Sequence, residues 1–166
     1  MRRSPTNYNQ GVDLRFLRRA VELAVANVRE GKGGPFGAVV VKDGAVIAEG
    51  ANAVTRTCDP TAHAEVCAIR EACRKLGSFQ LTGAELYTSC EPCPMCLGAI
   101  YWARPDRVFY AATQEQASAA GFDDSFIYRE IAVSPEGRTI PMAHVSLEEG
   151  AAPFEEWKAN ERRVEY

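Results

Sequence analysis

Two short motifs constrain this chain more than anything else in it: His63-Ala64-Glu65 and Pro92-Cys93-Pro94-Met95-Cys96. They supply one imidazole, one carboxylate and two thiols. The thiols stand at i and i+3, hence on one face of a helix. One His and two Cys make three good zinc ligands. A structural zinc usually has four, whereas a catalytic zinc keeps one position open for water. Any fold that satisfies both motifs must bring two helix starts to one point.

His63 and Glu65 are two apart, which on a regular helix turns them about 200° from each other. At a first turn the objection weakens, because side chains there lean toward the N-terminus and can reach a site over the helix end. Two helix N-termini facing one metal also stabilise thiolates and a hydroxide through their dipoles. Zn²⁺ with two thiolates and a neutral imidazole is neutral overall, so a bound water can lose a proton near neutral pH. Glu65 is placed to take that proton. Each motif alone has a plainer explanation: a core histidine, a redox pair, or half of a zinc knuckle. A redox pair leaves His63 and Glu65 unexplained, and it belongs after the first strand of a βαβ unit, far earlier than Cys93.

The rest of the chain predicts where these motifs sit. A helix opens at Asp13, with Leu14, Leu17, Val21, Val25 and Val28 on its apolar face. Two short strands, Gly37 to Lys42 and Ala45 to Gly50, meet at Asp43-Gly44, a strong hairpin signal. A second helix opens at Asp59-Pro60-Thr61 and ends at Gly77. Strands follow near Glu85 to Thr88 and Arg107 to Ala112, with a third helix between Pro94 and Pro105. Beyond Gly121 we expect a helix over 125–131, a strand over 144–147 and a final helix from Pro153. This order predicts an α/β fold: a three-layer α/β/α sandwich around a mixed, about five-stranded sheet. Residues 1–11 read as a loose tail and 12–166 as one domain. Cys67 and Cys73 read as core, Cys58 as a loop residue, Cys90 as no ligand and His144 as structural.

At 166 residues, with 46% hydrophobic and 25% charged side chains, the chain suits one soluble globular domain. The net charge is −3, and residues 100–166 hold seven Lys/Arg against twelve Asp/Glu. That disfavours a polyanionic partner there and permits a small neutral substrate. Arg2 and Arg3 are followed by no apolar stretch, and no run approaches the roughly 20 residues of a membrane span. The expectation is a cytoplasmic protein with neither membrane nor nucleic-acid partner. Its six cysteines then suggest metal or redox chemistry.

H-x-E followed by P-C-x-x-C is the pattern of zinc deaminases. Over residues 14–166 the chain resembles the bacterial guanine deaminases of the cytidine-deaminase-like superfamily. The resemblance is carried by Gly33-Gly34-Pro35-Phe36-Gly37-Ala38-Val39, Asp59-Pro60-Thr61-Ala62-His63-Ala64-Glu65 and Tyr87 to Ile100. It continues through Tyr101-Trp102-Ala103-Arg104-Pro105, Gly121-Phe122-Asp123-Asp124 and the terminal Glu165-Tyr166. It implies one zinc per subunit, held by His63, Cys93 and Cys96. It also implies hydrolysis of guanine to xanthine, with zinc hydroxide attacking C2 and Glu65 as proton shuttle. Phe36, Asn52, Ala64, Asp124 and Tyr166 would contact the purine. The family exchanges its C-terminal segment, so a homodimer is implied and Tyr166 would come from the partner. A guanosine deaminase, a tRNA adenosine deaminase and a non-catalytic zinc module are the rival readings.

Overall fold

Asp13 starts the first helix by accepting a hydrogen bond from the Arg15 N–H at 3.0 Å. A computed structural model describes residues 11–166, so the expected tail lies outside the described residues except for Gly11. Those residues divide into two compact units, one ending at Asp124 and one running from Ser125 to Tyr166.

In the first unit, helix α1 (Leu14–Arg29) precedes strands β1 (Gly37–Lys42) and β2 (Ala45–Ala51). Asp43 and Gly44 both have positive φ, 51° and 73°, as a tight two-residue hairpin turn requires. A short helix α2 (Val54–Thr57) and the longer α3 (Ala64–Leu76) come next. Then follow β3 (Ala84–Cys90), α4 (Pro94–Ala103), β4 (Arg107–Ala112) and α5 (Gln114–Ala119). The sheet order is β2-β1-β3-β4, with β1 antiparallel to both neighbours and β3 parallel to β4. Parallel pairing requires a crossover, and α4 provides it.

Alternation along β1 builds two cores. Val39 and Val41 join Tyr87 and Ala20 on the α1 face. Ala38 and Val40 join Leu86, Ala68, Ala72 and Ile100 on the face of α3 and α4. The three layers are those the sequence predicts, with four strands among the described residues where about five were expected.

Three details differ from expectation. The face of α1 turned to the sheet carries Phe16, Ala20, Leu23, Ala24 and the buried Asn27 together with the expected Leu17, while Leu14, Val21, Val25 and Val28 are exposed. The cause is close approach: a Cβ on Gly37 would fall 2.3 Å from the Ala20 carbonyl. Ala20 and Ala24 occupy the point of closest approach, and Val21, Val25 and Val28 turn outward. Asp59 does not open α3. Its carboxylate instead accepts from the Thr61 N–H at 2.8 Å in a local turn, and the helix begins at Ala64. Residues 141–147 form no strand, because the exposed Val145 and Leu147 have no ladder partner among the described residues.

The second unit holds α6 (Ser125–Ala132), 3₁₀ turns at Pro135–Gly137 and Glu148–Ala151, and α7 (Ala152–Ala159). Thr139 binds the Glu130 carboxylate through its N–H at 2.7 Å and its hydroxyl at 2.9 Å. Ile131, Ile140, Val145, Phe154 and Val164 are exposed. No helix among the described residues is long and apolar enough to cross a membrane.

Candidate zinc site and active site

His63 and Cys93 occupy equivalent places. Each is the N-cap residue of its helix, His63 of α3 and Cys93 of α4, with extended backbone angles. Neither side chain caps its own helix, so both are free for other partners. Pro94 at the first position of α4 is preorganised for a helix start and lacks a donor that would be unpaired there anyway. Cys96, one turn on, is buried.

The three side chains converge. Cys93 Sγ and Cys96 Sγ each lie 3.5 Å from His63 Nδ1, and all three ligand atoms fall within 4.8 Å of one another. Tetrahedral zinc, with Zn–S about 2.3 Å and Zn–N about 2.0–2.1 Å, places nitrogen and sulfur about 3.5–3.6 Å apart. The donor types and their spacing therefore fit zinc. The thiols are electrostatically split. The Cys96 thiol and then His63 hold the Cys93 thiol well below its ordinary range, while Cys93 and burial push Cys96 up. A dication would remove the remaining proton. The hydrogen bond to Cys93 raises His63, with Glu65 and Asp124 contributing through their charge.

Glu65 is only 5% exposed. Its Oε1 accepts from the Thr88 hydroxyl at 3.2 Å and its Oε2 from the Cys96 thiol at 3.4 Å. Burial raises its pKa above the ordinary carboxylate value. A carboxyl that holds its proton more tightly than usual, beside a metal-type cluster, is suited to proton transfer.

Four of the residues expected to contact substrate belong to the first unit. Ala64 is the first residue of α3 and fully buried. Asn52 is buried, and its Oδ1 accepts from the N–H groups of Gly34 and Val54 at 3.2 and 3.4 Å. Its carbonyl oxygen accepts from Asn27 Nδ2 at 2.8 Å. Phe36 meets the edge of Phe122, ring centroids 5.0 Å apart at 87°. Asp124 accepts from Gln114 Nε2 at 2.5 Å, and its charge reaches His63. The fifth contact, Tyr166, belongs to the second unit, where its ring meets Trp157. Cys90 stays outside the ligand cluster, its thiol donating to the Thr113 carbonyl at 3.7 Å.

The sequence reading missed Thr88, Asn27, Phe122 and Gln114. A threonine inside an apolar strand signals the first. Asn27 was hidden by the mistaken helix face. Phe122 lies in the Gly121-Phe122-Asp123-Asp124 segment without a role of its own there, and Gln114 carries no local signal.

Residues 11–112 match the family model for the cytidine and deoxycytidylate deaminase zinc-binding region. The chain belongs to this zinc deaminase family. Within it, the guanine deaminase of Bacillus subtilis is 63% identical over 151 residues, covering 91% of this chain and 97% of that protein. The crystal structure of that enzyme covers 93% of this chain and 99% of its own, with a TM-score of 0.92 and 61% identity. A tRNA-specific adenosine deaminase of Aquifex aeolicus is 42% identical over 61% of this chain and 66% of its own length. The guanine deaminase from Nitrosomonas europaea is 36% identical with a TM-score of 0.63, covering 66% of this chain and 63% of its own. Related chains at this level of identity have been solved with 2,6-diaminopurine and 8-azaguanine.

Proposed function

We propose that this deaminase hydrolyses guanine to xanthine and ammonia, with His63, Cys93 and Cys96 holding one zinc ion. The observation that carries the reading is the Glu65 carboxylate, buried and 3.4 Å from a thiol of the ligand triangle. Zinc held there supplies a hydrolytic nucleophile near neutral pH. Glu65 accepts the first proton of the attacking water and passes it to the ring nitrogen beside C2, which keeps it in xanthine. It then carries the second proton, from the new C2 hydroxyl as that becomes a carbonyl, to the departing amine. Its raised pKa suits both halves of that transfer.

The neighbouring residues match a flat purine. Asn52 has its Oδ1 committed to Gly34 and Val54, so its Nδ2 is the end left to donate to a purine acceptor. The Ala64 N–H, at the first position of α3, is one that a helix leaves without an internal partner. Phe36 and Phe122 offer aromatic walls. Asp124 supplies an acceptor for the N–H groups of the base edge. The 2-amino group that would leave is shared by the two purines bound to related chains.

Tyr166 closes the pocket in this reading, delivered by the C-terminal segment of a second copy in a homodimer. The exposed Phe154, Val164 and Tyr166 of that segment support an exchange. The six cysteines are free thiols, which suits the reducing cytoplasm.

The test is ammonia release from guanine, guanosine, adenine, cytidine and an anticodon-loop RNA by zinc-loaded protein. The reading expects turnover of guanine. Turnover of guanosine or RNA in its place would overturn the substrate assignment, and a monomer with full activity would overturn the exchanged tail.

A further inference from the structure

Gln114 donates to two carboxylates at once. Its backbone N–H lies 3.1 Å from Glu91 Oε2, and its side-chain Nε2 lies 2.5 Å from Asp124 Oδ1. Glu91 sits two residues before Cys93, on the stretch that leads from β3 into the ligand-bearing start of α4. The same stretch is fastened to the end of β4. The Glu91 N–H donates to the Ala112 carbonyl at 2.9 Å, and the Cys90 thiol to the Thr113 carbonyl.

Gln114 is itself held in place. Thr113 caps α5 in a reciprocal pair with Gln116: the Thr113 N–H donates to Gln116 Oε1 at 2.9 Å, and Thr113 Oγ1 accepts from the Gln116 N–H at 3.3 Å. The Gln114 backbone therefore cannot swing with its side chain. A continuous path runs from the Cys93 segment through Glu91 and Gln114 to the Asp124 carboxylate.

We infer that Gln114 is a positioning residue that sets Asp124 against the ligand centre for reading the base edge. This rests on the proposed role of Asp124. The physical case is one of orientation. An aspartate has two rotatable bonds, and a charge-assisted bond to one oxygen fixes the carboxylate plane. Oδ2 is then presented in one direction toward the N–H groups of a base. Gln114 also places a neutral double donor between two negative groups, which reduces their repulsion. Only the bond to Asp124 belongs to the side chain; the bond to Glu91 is made by the backbone N–H.

The test compares zinc-loaded wild type with Gln114→Met and Gln114→Lys. Methionine matches glutamine in length, keeps the backbone N–H, and removes the side-chain donor. Lysine restores a donor. We expect Gln114→Met to keep full zinc content and to lose about tenfold to a hundredfold in kcat/KM on guanine, mainly through KM. Gln114→Lys should recover much of that loss. A space-filling or helix-starting role predicts the opposite order, with methionine near wild type and lysine impaired, and would overturn the inference. Crystal structures of the zinc-loaded variants give a readout independent of turnover. Asp124 should leave its wild-type rotamer in Gln114→Met and hold it in Gln114→Lys. An unmoved Asp124 in the methionine variant would overturn the inference even if guanine is not the substrate. A wild type that fails to turn over guanine overturns the functional reading instead.

Discussion

Thr88, on the central strand β3, donates a 3.2 Å hydrogen bond to Oε1 of Glu65 on α3. This bond ties the carboxylate to an inner strand of the sheet. With Oε1 engaged, Oε2 is directed at Cys96. The carboxylate is thus aimed from the sheet side while its backbone belongs to the helix.

Replacing Thr88 by valine keeps the shape and removes the donor. The bond from Thr88 favours the ionised carboxylate, so its loss moves the Glu65 pKa further up. Ionised Glu65 is the form that accepts the first proton. The acid limb of the kcat/KM profile should therefore shift to higher pH. A pH–rate profile that overlays the wild type would show that Thr88 does not act through Glu65.

Zinc-free protein offers a second view of the same carboxyl. Its folded-state pKa is raised by burial above the ordinary 4.5, so the folded state binds the proton more tightly than the unfolded one. That contribution is complete below about 4.5 and declines as pH rises toward the folded-state pKa. Glu65→Gln removes it, while the cysteines and His63 titrate in both proteins. Urea unfolding from pH 4.5 to 7 should give a wild-type stability that falls relative to Glu65→Gln as pH rises. Parallel curves would refute this.

Gly50 tests how the site is mounted. A Cβ there would lie 2.2 Å from the Ala64 carbonyl and 2.6 Å from the Ala68 N–H. Both are helix backbone, which cannot yield as a side chain can. Gly50→Ala should cost about 3 kcal/mol in stability and lower activity by displacing the start of α3. Thermal and urea unfolding would check the first, and ammonia release the second. A stable, fully active variant would mean that α3 has slack.

Much of this was legible in the sequence, for a physical reason. Chemistry-bearing residues and turn residues announce themselves locally. His63, Glu65, Cys93 and Cys96 needed only their spacing, and Asp43-Gly44 needed only its backbone requirement. The α1 face was misread because periodicity identifies an apolar stripe without saying how closely the helix approaches. At Gly37 the approach is tight enough to favour Ala20 and Ala24 over the valines. Thr88 and Gln114 gain their roles from partners 23 and 10 residues away, Glu65 and Asp124. Pairings of that kind follow from the strand order, which a single sequence does not encode by pattern.

Removing a ligand should separate metal from fold. Cys96→Ser leaves a weaker, harder oxygen donor in a buried position. It should reduce zinc well below one per chain and abolish turnover. The melting temperature should fall because binding to the native state no longer adds to stability. Metal analysis beside calorimetry would check all three, and full zinc occupancy would exclude Cys96 as a ligand.

The most direct measurement is xanthine and ammonia formation from guanine by wild type and Glu65→Gln at matched zinc content. The account predicts one xanthine per ammonia from wild type. It predicts a folded, zinc-replete variant slower by about 10²–10⁴-fold. Equal rates from the two proteins, or no xanthine from a zinc-replete wild type, would contradict it.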